Sequence, residues 1–530
     1  MSRTLIQDAL CFNPADGSRR RASVLLEGTR IGALLSPDSP VPANTRTLSA
    51  HGAFLMPAFH DAHTHFWMGG EFLDALDAGP VRDRSSLCQE LLRHAARCRS
   101  QGDARSRGGW ILGFGLHQDM SLPSLAELDE ATGGVPLFLE THDLHSVMVN
   151  STVLQLAGID AHTPDPPGGS IQRDPQGRPT GLLRENAVEL VRGLKPDPSQ
   201  SDIRRAILRA QQHAFSLGIT AVDENIRLFL LPAYKALATS GELKVAVHGW
   251  LIDRNLGEAV FAERPFELGR LKVDTLKLFS DGALGSRSAA VELPYLDGSR
   301  GDFVAPLDEI ARFMERGAAQ GWRLAVHAIG DRAVDRMLAI YEELDRKGLP
   351  VRERRHRIEH AQMIRPGDEA RFRELGILPS LQPVHCAGDQ DGMEERLDAR
   401  GIARCFIWKG LDHPGAILPL GSDWPVESLD PRLTLYHGAS QTSFQGKRLL
   451  DPAQALSVDR LLQGLTIDAA RAAFWEQHRG SLEPGMDADL VLLDQDPAQL
   501  PLPDLRSVPI RSTWCAGEHV HGVDSPGHAS

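Results

Sequence analysis

The run LMPAFHDAHTHF, Leu55 to Phe66, passes abruptly from apolar residues to Asp61, His63 and His65. If Phe54 to Phe59 is strand-like, period-two alternation puts His63 and His65 on one face. Two imidazoles on one face, at a strand's C-terminal end, can grip a divalent metal such as zinc. The other reading is a strand exit with one solvated and one packed polar residue, and His-x-His alone does not decide between them. Further on, apolar runs again end in residues of metal-compatible chemistry: Lys277 in TLKLF, His327 in AVHAIGD, His360 in RIEHAQ and Asp423 in LGSDWP. Each has an ordinary explanation: a hydrogen-bonded core histidine, a snorkelling lysine, a helix-capping aspartate. Five strands each delivering such a group to one rim is improbable by chance.

The elements that must position them follow a regular order. Helical periodicity over Ile203–Leu217, Leu228–Ser240, Asp308–Gln320, Arg332–Lys347 and Pro366–Leu375 alternates with apolar strands. Counting from the first histidine pair, strands fall near 56, 220, 247, 276, 325, 358, 380 and 420. Such alternation is the signature of a parallel sheet buried on both faces. Eight units predict an α/β fold, a TIM-type (β/α)8 barrel, over residues 53–477, with its chemistry at the C-terminal strand ends. A less regular stretch, about 67–200, is expected to be a large insertion after strand one, forming part of a substrate pocket or lid. It carries helices over Ser86–Gln101 and Ser151–Ala157 and a Pro/Gly-rich loop. Short β-segments at both ends, 1–52 and 478–530, predict one composite β-sandwich domain, since each alone would leave exposed strand edges.

Composition narrows the function. The 530 residues carry a formal net charge of −13, which disfavours nucleic-acid and anionic-membrane partners. The basic clusters Arg19–Arg21 and Arg352–Arg357 read as solvated faces. No run approaches the roughly 18 apolar residues of a membrane span, and the first residues do not resemble a secretory signal. Six scattered cysteines without a C-x-x-C pair suggest a reducing compartment, so a cytoplasmic location is expected. A thiol nucleophile at Cys386, beside His385, is disfavoured.

The motifs FHDAHTH, KLFSDGALGSRSAA (Lys277–Ala290), HAIGDRAVD (His327–Asp335), RIEHAQ, LGSDWPV and GSLEPGMDADLVLLD together resemble the amidohydrolase superfamily. The closest branch is amidohydrolase family 3, which includes enzymes similar to N-substituted formamide deformylase. Within the insertion, DLHSVMVNS (Asp143–Ser151) and TGLLRENA (Thr180–Ala187) match in texture. The resemblance implies that His63, His65 and Asp423 hold one metal, and that His327 and His360 bind a second or orient substrate. It places Lys277 where many relatives carry a carboxylated lysine bridging two metals. An unmodified Lys277, with Glu185 or Glu224 supplying the carboxylate, is the rival. The implied cofactor is one or two divalent ions, zinc first. The implied reaction is hydrolysis of a C–N bond by metal-activated water, with Asp423 as general base. His145 and His360 are candidate oxyanion donors. Asp281 and Arg287 are candidate substrate contacts, with ion pairing between loops as the alternative. Trp67 and Trp424 are placed near the rim. A deaminase on the same site is the second enzymatic reading, and a non-catalytic binder of small molecules a third. The expected partner is a small-molecule substrate, with a homo-oligomer left open.

Overall fold

The structure, a computed structural model, describes residues 3–100, 109–117, 120–141 and 146–522. Its centre is a parallel sheet of seven strands: β1 (Phe59–Thr64), β2 (Ile219–Arg227), β3 (Ala246–Ile252), β4 (Leu271–Phe279), β5 (Arg323–Ala328), β6 (Arg357–His360) and β7 (Leu378–Ser380). Each pairs in parallel with its sequence neighbours, with Lys277 level with Ala325 and His327 level with Glu359. The helices between them bury one face. Leu307–Ala319 turns Ile310, Phe313, Met314 and Gly317 inward, and Asp331–Arg346 buries Val334, Met337, Leu338 and Tyr341. That is the stripe a 3.6-residue period produces.

The eighth position is not a regular strand. Residues 418–424 bridge β7 through Leu381 and β1 through Thr64, as isolated bridges only. Hydrogen bonds from Ala62 N–H to Leu420 O (2.9 Å) and from Asp423 N–H to His63 O (2.7 Å) span the remaining gap. Asp61 ties the two runs further, its Oδ1 accepting from the N–H groups of His63 and Ser422. The barrel is therefore nearly closed, by seven strands where the sequence pattern predicts eight. The physical reason is local: Asp423 sits at φ +60°, a left-handed conformation that breaks a ladder.

A second difference concerns the first strand. Phe54–Pro57 does not lead the barrel but pairs antiparallel with Leu490–Leu493 in another sheet, and the chain enters the barrel only at Phe59. That sheet runs in the order Glu518–Gly522, Ile510–Cys515, Leu490–Leu493, Phe54–Pro57, Arg3–Asn13, Ser18–Glu27, Arg30–Leu35, with Arg46–Ser49 beside Arg3–Asn13. Its strands thus come from both ends of the sequence in one continuous ladder, where a sandwich implies two sheets. Its core includes Ile6, Val24, Leu55, Leu490 and Trp514.

Residues Trp67–Ala210 form a separate compact unit. It carries its own six-stranded sheet, including Ile111–Leu116, Leu137–Thr141, Ser146–Val149 and Pro179–Glu185. Leu125–Thr132 is held there by a capping box between Ser124 and Glu127. Among the described residues no helix is long and apolar enough to cross a membrane.

Candidate metal centre

His63, His360 and Asp423 come from the ends of β1 and β6 and from the closing run, and each offers a ligand atom within 4.8 Å of the others. His65, just past β1, brings its Nε2 to 3.1 Å from Asp423 Oδ1, and His63 Nε2 lies 3.4 Å from the same oxygen. The His327 ring packs 4.5 Å from His360, and that of His360 5.1 Å from His63. Lys277 is buried on β4, where the charges of Glu359 and then Asp423 act on it. His360 and Asp423 adopt φ +73° and +60°, strain that a non-glycine residue keeps only where its surroundings enforce it.

Electrostatics prepare these groups for ligation. Burial, and then Lys277, hold His63 and His327 below the usual imidazole range, His327 at about 3. Burial and His327 do the same to His360. Burial alone would raise Asp423, but His63 and His65 outweigh it and keep the carboxyl ionised. Neutral imidazoles and an ionised carboxylate are the forms that bind metals. Lys277 is pushed down to about 8, by burial above all. Lys277 Nζ, His360 Nδ1 and His385 Nε2 are moreover buried without a hydrogen-bond partner. Each orphan costs about 1–3 kcal/mol, and a cation among them would relieve the lone pairs. The donor set fits a divalent ion.

Gly421 shows how tightly this site is built. A Cβ there would lie 2.5 Å from His63 N and 2.6 Å from His63 Cβ. Gly421→Ala is therefore expected to cost about 1–3 kcal/mol through overpacking, read as a lowered denaturant midpoint.

Other sequence candidates hold the surrounding backbone or pair on the loops. Asp281 is 2% exposed, its oxygens accept from the N–H groups of Ile329, Gly330 and Ala290, tying the loops after β4 and β5, and its Oδ1 lies 3.7 Å from His327 Nε2. Burial raises it to about 7. Arg287 is exposed and 3.5 Å from Asp297, an ion pair between loop residues. Glu224 accepts from the N–H of Phe66 and from the hydroxyls of Thr64 and Tyr234. Glu185 is exposed at the end of its strand in the 67–210 unit. Trp424 packs on Phe66 and Trp67 is buried in the 67–210 unit. Cys386 is fully buried and its thiol is pushed up, which suits no nucleophile. His145 lies outside the described residues.

Two residues were not anticipated. His385 follows β7, stacks on His360 at 5.5 Å and reaches 3.6 Å from Asp423 Oδ2. The strand-end rule that found the other histidines, applied to SLQPVH, would have found it. Glu359 lies 2.7 Å from His63 Nδ1.

A family model described as amidohydrolase matches residues 46–521. The chain belongs to the amidohydrolase family. This amidohydrolase is 31% identical over 489 residues to Protein LONG AFTER FAR-RED 3 of Arabidopsis thaliana, covering 88% of this chain and 82% of the relative. It is 27% identical to an N-substituted formamide deformylase of Arthrobacter pascens, over 97% of this chain and 96% of the relative. A metal-dependent hydrolase of Pyrococcus furiosus superposes with a TM-score of 0.77 at 27% identity, covering 94% of this chain and all of that one. Family and fold together mark the amidohydrolase as a metal-dependent hydrolase.

Proposed function

We propose that this hydrolase cleaves a C–N bond of an amide, formamide or cyclic amide other than a peptide. The observation that carries the reading is the gathering of unpartnered buried groups, Lys277, His360 and His385, around His63 and Asp423. The similarity to an N-substituted formamide deformylase supports the formamide end of that range. In this reading His63, His65 and Asp423 hold one ion, and His327, His360 and a carboxylated Lys277 a second. A divalent cation there, zinc first, supplies acidification of water and polarisation of the scissile carbonyl. Asp423 takes the proton of the attacking water and returns it to the departing amine. Where a single ion is bound, His360 is instead available to the oxyanion, with His385 stacked upon it as a further donor. A carbamate at Lys277 needs a neutral amine, and an amine pushed down to about 8 has a far larger neutral fraction near neutral pH than an ordinary lysine. The segment 67 to about 200 is in this view the family's large insertion, and the sheet built from both termini its small β domain. The five described cysteines are free, and on that ground we place the enzyme in the cytoplasm, acting on a small molecule.

Metal analysis of the purified protein, with a mass measurement across the peptide holding Lys277, tests the site. One or two divalent ions and the mass of one added carbon dioxide are expected. Stripping the ions with a chelator should abolish turnover, and zinc should restore it. Turnover of aminated heterocycles but not of amides would replace this reading with the deaminase.

A further inference from the structure

Beneath the candidate metal centre runs a line of hydrogen-bonded polar and charged side chains, nearly all buried. His63 Nδ1 lies 2.7 Å from Glu359 Oε2, and Arg357 Nε donates to Glu359 Oε1 at 2.8 Å. Arg357 Nη1 donates to Asp223 Oδ2 at 2.5 Å. Asp223 Oδ1 then meets His60 Nε2 at 2.9 Å and His248 Nδ1 at 3.1 Å, and His248 Nε2 is 2.7 Å from Asp274 Oδ1. Glu359, Arg357, Asp223 and His248 are all fully buried, and the Arg357 guanidinium lies over the Trp250 ring at 4.5 Å. Burying so many charges is unfavourable compared with apolar packing. What the line achieves that apolar packing cannot is to deliver a carboxylate to the remote nitrogen of His63.

We propose that Glu359, Arg357 and Asp223 are positioning residues that hold His63 as its Nδ1–H tautomer, with the Nε2 lone pair turned to the metal. The inference rests on the metal reading above. An ionised carboxylate has only lone pairs to offer, so the hydrogen shared with Glu359 sits on His63 Nδ1. Arg357 donates to both oxygens of Glu359, from Nε at 2.8 Å and from Nη2 at 3.3 Å, which favours the charged carboxylate. Asp223 acts at one remove. It balances the Arg357 charge, and without it the guanidinium would draw Glu359 away from the imidazole. Carboxylate partners of this kind fix the orientation of a ligating histidine, and their loss typically weakens metal binding 10–100-fold.

The test is titration of Co²⁺ alone into the metal-free full chain, in competition with a chromophoric chelator. Glu359→Gln is expected to weaken binding about 10–100-fold. Asp223→Asn, at a side chain that touches no candidate ligand, is expected to weaken it about tenfold through the same chain of contacts. The double variant should bind no more weakly than Glu359→Gln, because the two act in series. Wild-type affinity in Asp223→Asn, or additive losses in the double variant, would overturn the proposal. A second measurement needs no destabilised protein. In the unaltered chain with ¹⁵N-labelled histidines, and His63 assigned by its loss in His63→Gln, the Nδ1–H tautomer is expected and the Nε2–H tautomer overturns the proposal. Failure of the unaltered chain to bind Co²⁺ would sink the metal reading instead, and the tautomer still judges the positioning.

Discussion

Asp423→Asn is expected to lower kcat by about 10²–10⁴-fold, the range that a positioned acid–base group contributes. The substitution keeps the shape of the side chain and removes its charge and basicity. Asp423 is buried yet ionised because His63 and His65 offset the burial. An amide in its place can neither take a proton from water nor return one to an amine. It also weakens one ligand, so metal content has to be measured beside kcat. Reduced turnover with the ions retained isolates the proton-transfer role. Unchanged turnover with full metal occupancy would remove Asp423 from the chemistry.

The second large effect concerns stability. Arg357 donates to Glu359, Asp223, the Ala62 carbonyl and the Ser380 hydroxyl, and is 0% exposed. Arg357→Leu would strand the Glu359 and Asp223 carboxylates in the barrel core without their cation. Breaking a buried pair in this way costs about 3–5 kcal/mol, even where replacing the whole pair by apolar residues would not. A matching fall in the denaturant midpoint is expected. Replacing all three residues by apolar ones of similar volume should restore much of the loss. A cost below about 1 kcal/mol for Arg357→Leu would mean that water reaches these carboxylates.

Much of this arrangement could be read from residue order. His63, His327, His360 and Asp423 each end an apolar run, and helices such as Leu307–Ala319 and Asp331–Arg346 showed their buried face by periodicity. The misreadings have identifiable causes. Phe54–Pro57 and β1 are consecutive strands separated by Ala58 alone, and residue type cannot show that the chain changes sheets there. Strict alternation would also set Glu359 and His360 on opposite faces. The left-handed backbone at His360 breaks that rule, so Glu359 meets His63 Nδ1 while the neighbouring His360 ring packs against the same imidazole. No pattern of residue types announces a positive φ at histidine. A polar residue such as Asp281 on a glycine-rich loop looks the same in sequence whether it serves a ligand or the backbone amides around it. The strands of the 67–210 unit run only two to seven residues, too short for alternation to stand out.

The pairing of Phe54–Pro57 with Leu490–Leu493 has a consequence for biosynthesis. These strands lie about 430 residues apart, so at about 5–20 residues per second the ribosome needs roughly 20–90 s to deliver the second after the first. For that interval the nascent polypeptide presents Phe54, Leu55 and Met56 on an open edge, a template for unwanted pairing with other chains. Translation stopped short of Leu490 would make the exposure permanent, so prematurely terminated products of this gene should accumulate in the insoluble fraction or as chaperone-bound species.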